Sequence, residues 1–300
     1  MAEQDPNERE RIRAAHDAEE ARADIGGGTA RQERQRKLGR LTARDRLTAL
    51  FDGGRFEELQ RHLTHRGRGA ERAPGDGVIT ALGEVDGRRV AAFAHDVTVR
   101  RGALGLDGAG KVVRLYQRAL QLQIPVVGLH DSDGVRVDEG PEAIGGYGEI
   151  IRACIEASGA VPQIAVVCGL CVGAAAYSAS LCDVTIMVEE WGYMFITGGK
   201  ITRAITGEDV PVEELGGARM HASVSGAAHM VVADDRAAVE ACRRVLSYLP
   251  SHAFADAPRL PPSDENRKTP ELWDLIPASR RKPYDVVPVL RTVMDAGSLE

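Results

Sequence analysis

The chain has 300 residues, 43% hydrophobic, 27% charged and only 4% aromatic, with a net charge of −6 and a pI near 5.8. That length allows one large domain or two small ones, with a core of Leu, Val, Ile and Ala. The acidic balance argues against a dedicated nucleic-acid binder. A charged N-terminus with no apolar leader, and no run of 18 apolar residues, argue against a membrane protein, so a cytoplasmic one is expected. The five cysteines (Cys154, Cys168, Cys171, Cys182 and Cys242) read as free thiols of a reducing compartment.

Residues 7–24 read as a charged amphipathic helix, stopped by Gly26-Gly27-Gly28. A second basic helix follows, and Arg31 to Arg40 reads as its solvated face. Thr42, with Asp45 three residues later, signals another helix start, and Phe51 to Gly54 its end. Two β runs then flank Asp86-Gly87, a pair suited to a type I′ hairpin because both central residues need positive φ. A helical pattern spans Lys111 to Gln123, with Val112, Leu115, Ala119 and Leu122 on one face. Residues 124–131 form a short buried strand. Glu142 to Ser158 is helical, with Ile144, Ile151 and Ile155 expected inward. Strands over 162–169, 183–190 and 191–198, a short helix Ala174 to Leu181 and a helix Asp234 to Tyr248 complete the pattern. Alternating strands and helices argue an α/β fold with largely parallel strands. The Pro- and charge-rich stretch after Leu249 reads as a surface-wrapping tail.

Three stretches could carry chemistry. In CGLCVGAAAYSASLCD (Cys168 to Asp183) a strand enters a turn of small residues and a helix starts. Unpaired N–H groups at such a start can hold a thioester oxygen that gains charge. Equally, small residues there can simply let the helix pack tightly on the sheet. Cys168 and Cys171 have CxxC spacing, but no second close pair exists for a zinc site, and buried structural thiols are the simpler reading. GLHDSDGVRVDEG (Gly128 to Gly140) places a polar loop at a strand C-terminus, where ligands bind in α/β folds, or is an ordinary turn. RRGALGLDGAGKV (Arg100 to Val112) mimics a phosphate loop, but Val112 stands where Ser or Thr should hold magnesium. Arg100, Arg101 and Lys111 either meet phosphates near a helix start or are exposed charges around a turn. No Gly-x-Ser-x-Gly elbow, HExxH or paired-carboxylate pattern occurs.

In this order the motifs resemble the N-terminal half of the biotin-dependent acyl-CoA carboxyltransferases. The matching stretches include KLGRLTARDRL, PGDGVITALGEVDGR, IPVVGLHDSDGVRVDEG and FITGGKITRAITGEDVPVEELGGARMHASVSGAAH. Together with the others they cover nearly all of residues 35–300, leaving 1–34 as a charged helical extension. The resemblance implies a crotonase ββα spiral that binds an acyl-CoA, or an acyl-carrier thioester. It implies transfer of CO₂ to the α-carbon from carboxybiotin on a partner carrier protein, charged by a biotin carboxylase subunit. It implies Gly173 and Ala174 as oxyanion-hole amides. Arg100, Arg101, Gly102, Lys111, Gly134, Cys171 and Val172 are the expected substrate contacts. Two departures stand out: Asp133 replaces the first of two loop glycines, and Ala174 replaces the second glycine of the oxyanion turn. Family members generally carry two homologous halves. The second is expected here on another polypeptide, in a hetero-oligomer built on a trimeric ring. A biotin-independent decarboxylase of a malonyl-type thioester and a non-catalytic complex partner are the alternatives.

Overall fold

A computed structural model describes residues 6–65, 72–259 and 267–299. Chain contacts divide it into two compact units, Met1–Asp256 and Ala257–Glu300. The first opens with helices α1 (Pro6–Ile25), α2 (Thr29–Lys37) and α3 (Ala43–Leu50). α3 starts as the sequence signals: Thr42 Oγ1 accepts from Asp45 N, and the Asp45 carboxylate accepts from Thr42 N. α2 buries no residue, so its polar composition is that of a solvated helix.

Strands β1 (Phe56–Leu59), β2 (Val78–Val85) and β3 (Arg88–His95) form an antiparallel meander. The β2–β3 turn has φ of 51° at Asp86 and 73° at Gly87, the left-handed pair the sequence predicts. From β3 onward all pairing is parallel: β4 (Val126–Ser132), β5 (Gln163–Val172), β6 (Val184–Val188) and β8 (Met230–Val232) extend the sheet. The short β7 (Tyr193–Phe195) pairs with the end of β5. Crossover helices α4 (Leu106–Leu122), α5 (Pro141–Ala157) and α6 (Ala174–Ser180) connect the parallel strands. Short helices α7 (Gly199–Thr206), α8 (Val212–Gly216) and α9 (Ala218–Met220) follow β7, and α10 (Asp235–Tyr248) closes the unit.

The sheet is covered on both faces, which is why β4 is buried at every position. One core joins it to α4, α5 and α6 through residues such as Val112, Leu115, Tyr147 and Ile150. The other joins it to α3 and α10 through Leu47, Leu50, Ile164 and Leu246. The expected phase of α5 is wrong. Ile144 and Ile155 are 65% and 59% exposed, while Ala143, Tyr147, Ile150 and Cys154 face the core. α5 packs so closely on α4 that a Cβ on Gly146 would come within 2.9 Å of the Ala109 methyl group. Small residues therefore select the buried face over isoleucines.

The second unit carries α11 (Leu272–Leu275) and α12 (Val286–Val293), the latter capped by Asp285, whose side chain accepts from Val287 N. The tail expected after Leu249 includes 260–266, which lie outside the described residues. No helix among the described residues is long and apolar enough to cross a membrane.

Candidate active site

At the C-terminal edge of the parallel sheet, β5 runs into Gly173, whose φ of 61° and ψ of −124° only glycine adopts without strain. Parallel pairing of Val172 with Phe195 brings β7 alongside. The Gly173 N–H donates to Phe195 O at 3.0 Å, so this amide, expected as an oxyanion donor, is already engaged. Sequence could not reveal this, because the acceptor lies on a later strand. Ala176 N bonds back to Gly173 O at 3.1 Å. That leaves the N–H groups of Ala174 and Ala175, the first two of α6, with no acceptor among the described residues. Of these, Ala175 is wholly buried, so the half-buried Ala174 N–H is the donor of the turn open to a ligand. The alanine at 174 costs the site nothing, because the reactive feature is an amide.

The Cys171 side chain is fully buried in the core, and burial pushes its thiol far above the usual range. Only its backbone, with that of half-buried Val172, can face a ligand. All five cysteines are free, and no group of ligating residues that could hold a metal occurs among the described residues.

Gly134 anchors the neighbouring loop. Its N–H donates to Ser132 Oγ at 3.0 Å, so it too is not a free donor. A Cβ on Gly134 would lie 2.4 Å from Val172 O, so the loop leans on the oxyanion turn. Ser132 Oγ also donates to Gly102 O at 2.7 Å and meets Tyr147 Oη at 3.3 Å. A Cβ on Gly102 would sit 2.2 Å from Asp131 O. The 100–102 and 133–134 turns are thus locked together.

Arg100, Arg101 and Gly102 have φ of 48°, 57° and 70°, three successive left-handed residues of which two are not glycine. Such conformations each cost on the order of 1–3 kcal/mol and cluster at functional sites. The turn projects both arginines into a cleft of about 610 Å³, which Arg31, Arg34, Arg40, Asp131, Asp133, Leu170, Trp191 and Tyr193 also line. Arg100 pairs with Asp138 and Arg101 with Asp133. The Asp133 carboxylate is thereby turned toward a cation. Arg40 lies at the bottom, its side chain only 10% exposed. It donates to Asp131 Oδ2 at 2.6 Å and Cys168 O at 3.0 Å. Its guanidinium lies 5.2 Å from the centre of the Trp191 ring, and its buried Nε has no partner among the described residues.

Asp131 also accepts from Arg46 NH1 at 3.1 Å. Arg46, wholly buried, holds Asp235 at the start of α10 through two bonds of 3.1 and 3.2 Å. Asp235 in turn accepts from Leu41 N at 2.7 Å. Two arginines balanced by two carboxylates keep this buried cluster neutral, as burial of charge requires. The sequence reading missed Arg31, Arg34, Arg40 and Trp191 as cleft residues. The Arg31–Arg40 charge run was visible, but its partners are distant in sequence.

Lys111 is not a cleft residue. It is 1% exposed, and its Nζ donates to Gly75 O (3.2 Å) and Val78 O (2.6 Å). Burial pulls its pKa down to about 8. The phosphate-loop likeness fails structurally as well: Leu106 N, opening α4, donates to Glu139 Oε2 at 3.3 Å. A Cβ on Gly105 would lie 1.8 Å from that carboxylate. The protein's own acid occupies the place an anion would take.

The fold so built is of the crotonase type, as in transcarboxylase 12S, solved as a hexamer with methylmalonyl-CoA and methylmalonic acid bound. That structure superposes with a TM-score of 0.88 at 37% identity, over 98% of this chain and 57% of its own. The carboxyl transferase domain family matches residues 34–300, and the chain belongs to that family. Among curated relatives, the propionyl-CoA carboxylase carboxyltransferase subunit of Haloferax mediterranei is 45% identical over 91% of this chain and 54% of its own length. The methylmalonyl-CoA decarboxylase subunit alpha of Veillonella parvula is 41% identical over 92% of this chain and 55% of its own length. The chain spans about half the length of the curated relatives it matches.

Proposed function

We propose that this chain is the thioester-binding half of an acyl-CoA carboxyltransferase, working with a second polypeptide. The observation that carries this reading is an acceptor-free, half-buried amide, Ala174, at a strand–helix turn beside an arginine-lined cleft. Backbone donors held rigidly where charge develops stabilise it without reorganisation. The Ala174 amide holds the thioester oxygen as the α-carbon loses its proton and charge moves onto that oxygen. The cleft suits the phosphates of CoA: Arg100 and Arg101 reach them from one turn, Arg31, Arg34 and Arg40 from the N-terminal segment. Planar guanidinium groups match phosphate geometry. Carboxybiotin, when bound on its carrier, supplies the activated carboxyl group; this chain positions the acceptor.

The partner half covers the turn and excludes water. Beside the turn, Ile196, Ile201 and Ile205 are 56%, 56% and 76% exposed. They form an apolar face suited to a large contact of the obligate kind, in a trimer-based hetero-oligomer that also engages biotin carboxylase and carrier subunits. A second reading draws on the 41% identity to a methylmalonyl-CoA decarboxylase subunit: the same amide would stabilise the same enolate as CO₂ leaves.

The test is carboxyl transfer from carboxybiotin to a panel of acyl-CoAs, by the chain alone and with a candidate second half. Transfer only in the presence of both is expected. Full transfer by the chain alone refutes the split arrangement. CO₂ release from methylmalonyl-CoA without biotin establishes the second reading.

A further inference from the structure

Two loops facing the cleft are tied by a two-point contact. Asp133 N donates to Arg101 O at 3.1 Å, and the Arg101 guanidinium returns to the Asp133 carboxylate, with NH2 at 3.1 Å from Oδ1 and Nε on Oδ2. The side chains are 68% exposed for Arg101 and 35% for Asp133, so both reach water and any ligand in the cleft. Of the two acids lining it, Asp131 is fully engaged by Arg40 and Arg46. Among the described residues, Asp133 is the carboxylate of the wall whose charged partner, Arg101, would otherwise face a ligand.

The geometry points to Asp133 as a specificity-determining residue: an internal counter-anion that occupies Arg101 and opposes the entry of phosphate into the cleft. This rests on the reading of the cleft as the seat of the CoA phosphates. An incoming phosphate must take Arg101 from Asp133 and sit near its negative charge. The cleft therefore holds a polyanion less tightly than its arginines alone would, and discriminates against ligands of higher negative charge. The contact is solvent-exposed, so its effect is that of a surface ion pair and is screened by salt.

The probe is adenosine 3′,5′-bisphosphate, with CoA and uncharged pantetheine alongside, titrated calorimetrically into the whole chain at several salt concentrations. Asp133→Asn keeps the backbone bond to Arg101 and removes the charge. It should tighten bisphosphate binding about three- to fivefold, the size of an exposed ion pair, with a steeper salt dependence, and leave pantetheine unchanged. Arg101→Met should weaken the bisphosphate, and adding Asp133→Asn to it should recover less than the single change gains. Melting temperatures of the variants confirm that each is folded. Equal affinity in wild type and Asp133→Asn, with CoA bound by both, overturns the role of Asp133 and leaves the cleft reading standing. Binding of neither CoA nor bisphosphate by any variant overturns both.

Discussion

The turns at Val172–Ala174 and at Arg100–Gly102 border the same site and work in opposite ways. The first is apolar and offers only backbone: the Gly173 amide is engaged by β7, and the Ala174 amide remains open. The second closes on itself through Gly102 N on Val99 O and Ala103 N on Arg100 O. It presents two guanidinium groups on a left-handed run. A backbone device tolerates side-chain change provided the N–H survives. A side-chain device depends on residue identity and on the acids that face it.

The largest expected effect breaks the backbone device alone. Proline is well accommodated as the first residue of a helix, so Ala174→Pro should fold while lacking one donor. Turnover of the assembled enzyme should fall about 10²- to 10³-fold, the usual cost of one oxyanion donor, with CoA affinity little changed. Wild-type turnover in the folded variant would remove Ala174 from the site.

The strand that supports the charged turn makes a second test. His130, next to Asp131 on β4, is wholly buried with both ring nitrogens unpartnered among the described residues. Burial lowers its pKa to about 4 from 6.5. The folded state thus keeps it neutral while the unfolded chain protonates near 6.5. Its contribution to stability is full above 6.5 and is lost as pH falls toward 4, by up to about 3 kcal/mol. Buried His95, pushed the same way by burial and by His130, adds to the loss. Urea unfolding across pH 4–7 checks this, and His130→Leu should flatten the profile.

Lys111 sharpens the contrast between charges that hold the fold and those that meet a ligand. Lys111→Ala orphans the carbonyls of Gly75 and Val78, and should cost about 2 kcal/mol of stability with CoA affinity unchanged. Weakened CoA binding at undiminished stability would return Lys111 to the site. The smallest effect is expected from Arg100→Ala/Arg101→Ala. CoA binding should weaken about tenfold, with a shallower salt dependence, as for a few partly exposed charge contacts. Unchanged affinity by calorimetry would reassign the cleft.

The parts of this arrangement legible in sequence are those set by neighbours in the chain. The Asp86-Gly87 hairpin, the Thr42–Asp45 cap and the strand–turn–helix at Cys171 to Ala174 all rest on contacts within a few residues. So does the identity of the parallel strands β4, β5 and β6, whose apolar runs need only be buried, whereas the three-residue β8 at Met230–Val232 went unread. What escaped notice is decided at long range. The inward face of α5 is chosen by Gly146 against Ala109. The loss of the Gly173 donor depends on where β7 docks. The cleft draws Arg31, Arg34 and Arg40 from an N-terminal segment whose composition looks like any solvated helix. Lys111 carries the charge expected of a phosphate ligand, yet the hydrophobic face of α4 takes it inside.

The buried cluster of Arg46, Asp131 and Asp235 has a consequence for how the chain is made. Arg46 meets Asp235 across a sequence separation of 189 residues, and Leu41 N meets the same carboxylate across 194. Neither contact can form until the ribosome has released residue 235. Until then Arg46 has only Asp131 of the two acids to balance it, and the Leu41 amide beside Arg40 lacks its carboxylate acceptor. Closure of such distant pairs is slow. The emerging protein should therefore dock α10 late, and the buried cluster beneath the cleft should reach its final form in that step.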